Sequence, residues 1–391
     1  MRSDGSISVR AKIDAVTDLI DHPDAVAELA AAVSGSDTVT FDTEFHAEKR
    51  YWPELCLVQV GIDGEAHLVD PLATDLGPLW DAFVAEDGPL VVVHAGHADL
   101  AIVQRQAGAV PIRVFDTQLA AAFCGKGATA GYGNLVGAYL KQRMDKGPRM
   151  SDWRRRPLPD RQAEYAAADV THLAKIHPLV VADLEKRGLT KAAEEEHDRY
   201  LSPTRWMPTA PEDAWRSLRT RTNDRETLNR FAHLAAWREQ EAARIDKPRQ
   251  WILSDVTLAD LAYSPPNSPN AFRNIRNFPD RGANRLIDAI TEVLATASGT
   301  DPADWPEPSA PQPEPSEAAT VLRVLRDHVA SRTGIAAGMI ATVGELTALA
   351  AGNPPDHLVS GWRNEVFTSE ADQVLTGRVA LRLKDGTVVF E

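Results

Sequence analysis

Four acidic residues in three separate stretches of this 391-residue chain carry its most specific chemical signal. They are Asp42 and Glu44 in VTFDTEF, Asp99 in VVVHAGHADL, and Asp169 in EYAAADV, with Tyr165 four positions before the last. Carboxylate oxygens suit hard divalent cations such as Mg²⁺ or Mn²⁺. Two such ions roughly 3.5–4 Å apart can clamp the attacking and leaving oxygens of a phosphodiester. One stretch of chain rarely surrounds two metals, so a site gathered from several is what this chemistry demands.

The elements that must position these groups can be read from the pattern. VTFDTEF alternates with period two and is rich in β-branched and aromatic residues, which predicts a strand. Asp42 and Glu44 then project from one face. VVVHAG reads as a buried strand and HADLAIVQRQ as the helix after it, with Asp99 in its first turn. Tyr165 and Asp169 are four apart in an Ala-rich helical stretch, so a phenol and a carboxylate share one helix face. Each motif alone has a bland reading. A second Asp-x-Glu at Asp63 and Glu65 reads as a turn, and a helical Asp is usually a solvated charge. Order, element type and spacing together carry the argument.

On these residues the chain resembles the ribonuclease D family within the DEDD exonuclease superfamily. The three exonuclease motifs fall on Asp42/Glu44, Asp99 and Tyr165/Asp169. YWPELCLVQV (51–60), VFDTQLAA (114–121) and SDWRRRPLPDRQAEYAAADV (151–170) are similar to that family as well. One branch of the superfamily carries a His five residues before the final Asp; here that position is Glu164, and Tyr165 places the chain with the tyrosine branch. The resemblance covers about residues 35–190. It implies that Asp42, Glu44, Asp99 and Asp169 hold two metal ions, Mg²⁺ or Mn²⁺, and that 5′-mononucleotides leave from an RNA 3′ end. Tyr165 would orient the attacking water, because a phenol with a free pKa of about 10 is a poor base. The implied substrates are 3′ ends of transfer RNA precursors or other structured RNAs. Two other readings stand beside this one: a DNA exonuclease using the same carboxylates, and a non-catalytic RNA-binding protein.

Tyr51, Trp52, His94, Arg154 and Arg156 are the candidate substrate-binding residues. Tyr51 and Trp52 have rings that can stack on terminal bases. Arg154, Arg155 and Arg156 form a basic run beside the third motif, suited to phosphate. Asp116 reads as a buried hydrogen-bonding residue. Gln59, His46 and His97 read as structural.

Net charge is −14, unusual for a nucleic-acid binder. The charge is uneven, however. Residues 1–210 carry 22 Lys/Arg and 31 Asp/Glu, residues 211–300 carry 13 and 12, and residues 301–391 carry 7 and 13. Arginines of the middle segment cluster at 216–230 and 273–285. No apolar run long enough for a membrane span occurs, and the N-terminus lacks the apolar region of a signal peptide. The two cysteines, Cys56 and Cys124, lie in apolar surroundings and fit buried thiols in a reducing cytosol. These features predict a cytoplasmic monomer.

The chain is expected to open with an α/β ribonuclease H-like exonuclease domain over 1–205. Its mixed five-stranded sheet has strands near 38–45, 55–62, 65–70, 90–94 and 112–115. Residues 211–295 read all-helical, broken by the prolines of YSPPNSPN. LAAWREQEAARIDKPRQWILSDVTLADLA resembles the HRDC domain, which implies a small nucleic-acid-binding bundle. Residues 301–316 hold six prolines and read as a stiff linker. The segment 317–391 reads as a second HRDC-like helical module standing apart, ending in a hairpin around Asp385-Gly386.

Overall fold

A computed structural model describes residues 19–391, apart from 145–146, 148–150, 207–208, 280–281, 309–313, 315 and 386. The first eighteen residues, part of the proline-rich run, and Gly386 of the expected hairpin thus lie outside the described residues. The chain divides into two compact units. One is made of Met1–Phe45, Leu55–Trp206 and Pro313–Glu391, the other of His46–Glu54 and Met207–Gln312.

The first unit is built on a five-stranded sheet of order β3-β2-β1-β4-β5. Its strands are β1 (Thr38–His46), β2 (Glu54–Ile62), β3 (Glu65–Val69), β4 (Leu90–Val93) and β5 (Val114–Asp116). β2 and β3 pair antiparallel through Val58↔Val69. They turn at Asp63-Gly64, both at positive φ, which suits a tight hairpin, so the second Asp-x-Glu is indeed a turn. β4 runs parallel to both β1 and β5, in register Val39↔Val91 and Val91↔Val114. Helical crossovers supply these parallel connections: α2 (Gly77–Val84) precedes β4 and α3 (His97–Ala107) follows it.

Alternation along β1 decides what the sheet does. Val39 and Phe41 are buried in a core with α1 (Pro23–Ser34), α2 and α3. The positions between them face the long helix α6 (Asp160–Arg187), whose Val170 carbonyl accepts a hydrogen bond from Thr40 Oγ1 at 2.9 Å. Gly61 on β2 permits this approach. A Cβ there would lie 2.1 Å from Thr40 Oγ1 and 3.3 Å from Val170 Cβ. The sheet face carrying Asp42 and Glu44 is therefore set against the helix carrying Tyr165 and Asp169.

The same unit contains α4 (Thr117–Phe123), α5 (Tyr132–Leu135), α7 (Thr190–Tyr200) and α8 (Pro203–Trp206). It also contains the C-terminal segment, and here the expectation of a module standing apart is corrected. Leu322, Leu325 and Val329 of α14 (Glu317–Thr333) share one core with Phe123 of α4 and with Ile176 and Val180 of α6. Ile340, Leu346 and Phe367 join that core. Arg363 and Glu196 form a buried ion pair across the seam at 2.6 Å. The apolar stripe of α14 has to be covered, and it packs chiefly on the helical segments that follow it, within a core that α4 and α6 share. The chain ends in the antiparallel pair β6 (Leu381–Lys384) and β7 (Thr387–Phe390).

The second unit holds α9 (Arg225–Ile245), α10 (Arg249–Ile252), α11 (Asp255–Tyr263), α12 (Pro269–Arg273) and α13 (Ala283–Gly299). Leu228, Phe231, Leu234, Leu258, Leu261 and Ile290 fill its core. Asp224 caps α9 and Ser254 caps α11, each accepting from a backbone N–H three residues on. The β1–β2 connection belongs to this unit: Asp246 accepts from the backbone N–H of Tyr51 at 3.1 Å and of Trp52 at 3.0 Å.

Candidate active site

Asp42 and Glu44 leave β1 on the face toward α6, where Asp169 lies one turn beyond Tyr165. Ligand oxygens of Asp42, Glu44 and Asp169 all fall within 4.8 Å of one another. A cavity of about 560 Å³ opens over them, lined also by Asp99, Tyr165, His94, Tyr132 and Asn134. Asp99 comes from the first turn of α3 and stands in the same wall. Its carboxylate is outside the three-carboxylate group, and its Oδ1 accepts a hydrogen bond from Thr43.

Burial dominates the electrostatics. Asp42 is raised well above the ordinary carboxylate range, first by burial and then by the negative charges of Asp99, Asp169 and Glu44. Burial lifts Asp169 to about 7 against the opposing hydrogen bond from Tyr165. Burial likewise lifts Asp99 to about 6, opposed by the Thr43 hydroxyl. Oδ1 of Asp169 is buried and has no hydrogen-bond partner. A buried carboxylate oxygen left without a donor, beside two further carboxylates, is costly unless a cation sits there. The donor set is all oxygen, which fits a hard divalent ion rather than a thiolate-bound one.

Tyr165 is pushed far above the usual phenol value, first by burial and then by the charges of Asp169, Glu44 and Asp42. Its hydroxyl therefore keeps its proton at neutral pH. It donates to Asp169, and the donation opposes the rise of that carboxyl.

Two supporting residues escape a sequence search for acids. Thr43 lies between the motif residues, and period two sends its side chain to the opposite face, where it meets Asp99. Tyr132 donates to the backbone carbonyl of Asp169 and lines the cavity. Its only sequence signal is an aromatic ring in a glycine-rich turn. Asp116 behaves as a buried hydrogen-bonding residue. Its carboxylate accepts from the N–H groups of Ala95 (2.9 Å), Gly96 (3.0 Å) and Gln118 (2.8 Å), fixing the turn that leads into α3.

The candidate substrate-binding residues fare differently. His94 lines the cavity, but its ring lies against Tyr132 and its Nδ1 is 3.0 Å from Thr117 Oγ1, so it reads as part of the wall. Arg156 is engaged within the fold. Its guanidinium donates to Asp70 Oδ1 at 2.6 Å and to the carbonyls of Cys56 (2.7 Å) and Trp153 (2.8 Å), which leaves it committed within the fold. Arg154 is exposed and pairs with Asp152 at 2.8 Å. Tyr51 is committed too: its hydroxyl donates to Glu239 and the Arg249 guanidinium lies 5.1 Å over its ring. Trp52 packs edge-on against Tyr51 and is about one-third exposed.

Comparison with known proteins follows the same lines. Residues 17–185 match the 3′-5′ exonuclease family and residues 227–294 the HRDC domain. Ribonuclease D of Zymomonas mobilis is 35% identical over 380 residues, covering 95% of this chain and 97% of the relative. Ribonuclease D of Nitrobacter hamburgensis is 38% identical over 379 residues, covering 95% and 98%. The chain belongs to the ribonuclease D family. The crystal structure of Escherichia coli RNase D, an exoribonuclease involved in structured RNA processing, agrees in fold with a TM-score of 0.81 at 28% identity, covering 92% of this chain and 99% of that one. Membership assigns the activity: a 3′-to-5′ exoribonuclease, a hydrolase of phosphodiesters. One HRDC match is found, in the second unit, and the C-terminal segment packs with the catalytic unit instead.

Proposed function

We propose that the cavity over Asp42, Glu44 and Asp169 removes 3′-terminal nucleotides from structured RNAs, such as transfer RNA precursors, with two divalent cations, Mg²⁺ or Mn²⁺. The observation that carries this reading is the convergence of three carboxylates within 4.8 Å, one with a buried oxygen lacking a partner. Asp42, Glu44 and Asp169, with Asp99 in the same wall, would hold the ions. Such ions supply activation of the attacking water and stabilisation of the leaving 3′ oxygen.

The protein's own groups do the rest. Tyr165, held protonated, donates a hydrogen bond and orients the nucleophile rather than accepting its proton. Thr43 favours the ionised form of Asp99 against its burial, and Asp116 holds the turn from which Asp99 projects. Tyr132 keeps the backbone at Asp169 in place. In this reading the enzyme is a monomer in the cytoplasm, and the buried free thiols of Cys56 and Cys124 fit a reducing compartment.

A 5′-labelled RNA with a base-paired body and a single-stranded 3′ tail tests it, beside a matched DNA. Progressive shortening of the RNA to the edge of the duplex, stopped by a chelator and restored by Mg²⁺ or Mn²⁺, is expected. Preferential loss of the DNA would favour the deoxyribonuclease alternative, and cleavage of circular RNA would exclude an exonuclease.

A further inference from the structure

Gln59 lies within β2 and is wholly buried. Neither its amide nitrogen nor its amide oxygen has a hydrogen-bond partner among the described residues. A buried polar atom left in that state costs about 1–3 kcal/mol. Native folds rarely leave such a group without a partner in the working state.

The neighbours of Gln59 fix the face on which its amide lies. Leu57, two residues back in β2, packs in one core with Ala163 and Ala166 of α6. Gly61, two residues on, meets Val170 of the same helix. Leu68, paired with Gln59 across β3, belongs to the core of Leu57. Val58 and Val60 turn the other way, into the core of α1 and α2. Gln59 is therefore on the α6 face of the sheet, the face that carries Asp42 and Glu44.

The register along β1 brings it closer still. β1 lies beside β2, and the short connection at 47–53 makes the pair antiparallel. Thr40 leans over Gly61, with its Oγ1 2.1 Å from where a Cβ would stand. Two residues on in β1 and two back in β2, Asp42 falls beside Gln59. Residues opposite one another have Cβ atoms about 4.5–5.5 Å apart. A carboxylate and a side-chain amide span that gap with one hydrogen bond.

We infer that Gln59 is a positioning residue for the metal site: its amide N–H donates to the Asp42 carboxylate and holds that ligand in orientation when the ions are bound. This role rests on the proposed metal-dependent action of the cavity and adds to it a residue outside the cavity lining. Asp169 already accepts from the Tyr165 hydroxyl and Asp99 from Thr43. At Asp42 the donor is a backbone N–H, that of Thr43. A side-chain donor from Gln59 gives Asp42 the support that the other two already have. Hydrogen bonds of this outer kind fix ligating carboxylates, and losing one weakens metal binding by about 10- to 100-fold.

Gln59→Leu in the full-length chain tests the role, because Leu fills the space without a donor. Mn²⁺ titrated against the RNA-free protein and followed by electron spin resonance should bind about tenfold more weakly. The Mg²⁺ concentration that gives half the maximal rate should rise by a like factor. Metal-free Tm should hold or rise, since two buried atoms without partners leave with the amide. A glutamine that only packs would give the reverse, a lower Tm with Mn²⁺ affinity unmoved. Gln59→Met, which keeps the unbranched stem, repeats the titration if the Leu variant is unstable. Unaltered Mn²⁺ affinity in a folded Leu or Met variant overturns the role of Gln59 while leaving metal-dependent exonuclease action standing. Absence of Mn²⁺ binding by the unsubstituted chain would instead overturn the proposed metal site, and the role of Gln59 with it.

Discussion

The hydroxyl of Thr43 donates a hydrogen bond to Oδ1 of Asp99, joining the residue between the two β1 carboxylates to the carboxylate of α3. That donation favours the ionised form of Asp99 and opposes the rise caused by burial. Thr43→Val removes the donor and keeps the shape. Asp99 should then ionise at higher pH, and the acid limb of the pH–rate profile should move upward. Thr43→Ser should restore it. An unmoved acid limb in a folded Val variant would show that Asp99 does not limit activity at low pH.

Tyr165 leads to the second prediction. Its proton is held by burial and by three carboxylates, so it acts as a donor across the working pH range. Tyr165→Phe should lower kcat by about a hundredfold, in the range of lost proton-positioning groups. RNA affinity and thermal stability should change little. A near-normal kcat for the Phe variant would mean that the ring only packs on Trp153, 6.1 Å away.

Much of this arrangement was legible in the sequence, for local reasons. Strand alternation put Asp42 and Glu44 together, and helical spacing put Tyr165 with Asp169. The turn at Asp63-Gly64 was written in its own residues. What escaped were partners distant in the chain. Arg156 sits in a basic run yet is taken by Asp70, 86 positions away, and Tyr51 by Glu239. Nothing local distinguishes a committed arginine or tyrosine from a free one. The C-terminal helices were misplaced for a related reason: an apolar stripe announces that it must be covered, not by what.

Metal removal supplies a third prediction, with a definite sign. Asp169 and Asp99 are raised to about 7 and about 6 by burial, so the folded protein binds their protons more tightly than the unfolded chain. Their contribution to metal-free stability is present at low pH and is lost as pH rises through those values. Metal-free Tm should therefore decline between about pH 4 and pH 7 from these groups. Mg²⁺ or Mn²⁺ at pH 7.5 should raise Tm, since a ligand bound only by the folded state stabilises it. Asp169→Asn should flatten the metal-free decline and remove most of the gain from metal. Equal gain from metal in that variant and in the unsubstituted chain would place the ions elsewhere.

The C-terminal segment supplies the last prediction. Leu322, Leu325, Val329 and Phe367 are wholly buried in the core shared with Phe123 and Ile176 of the catalytic unit. Ending the chain after residue 312 would bare that core and take from Glu196 its Arg363 partner. Such a chain should be insoluble or lose its cooperative unfolding, and a chain ending after 205 should behave the same way, despite keeping every catalytic carboxylate. The single change Arg363→Ala isolates the seam. Both partners are less than 9% exposed, and breaking a buried pair on one side costs about 3–5 kcal/mol. Denaturant unfolding should show a loss of that order, and the double change of Arg363→Met with Glu196→Leu should recover much of it. A soluble, fully active chain ending after residue 312 would mean that the C-terminal helices lie on the catalytic unit without supporting it.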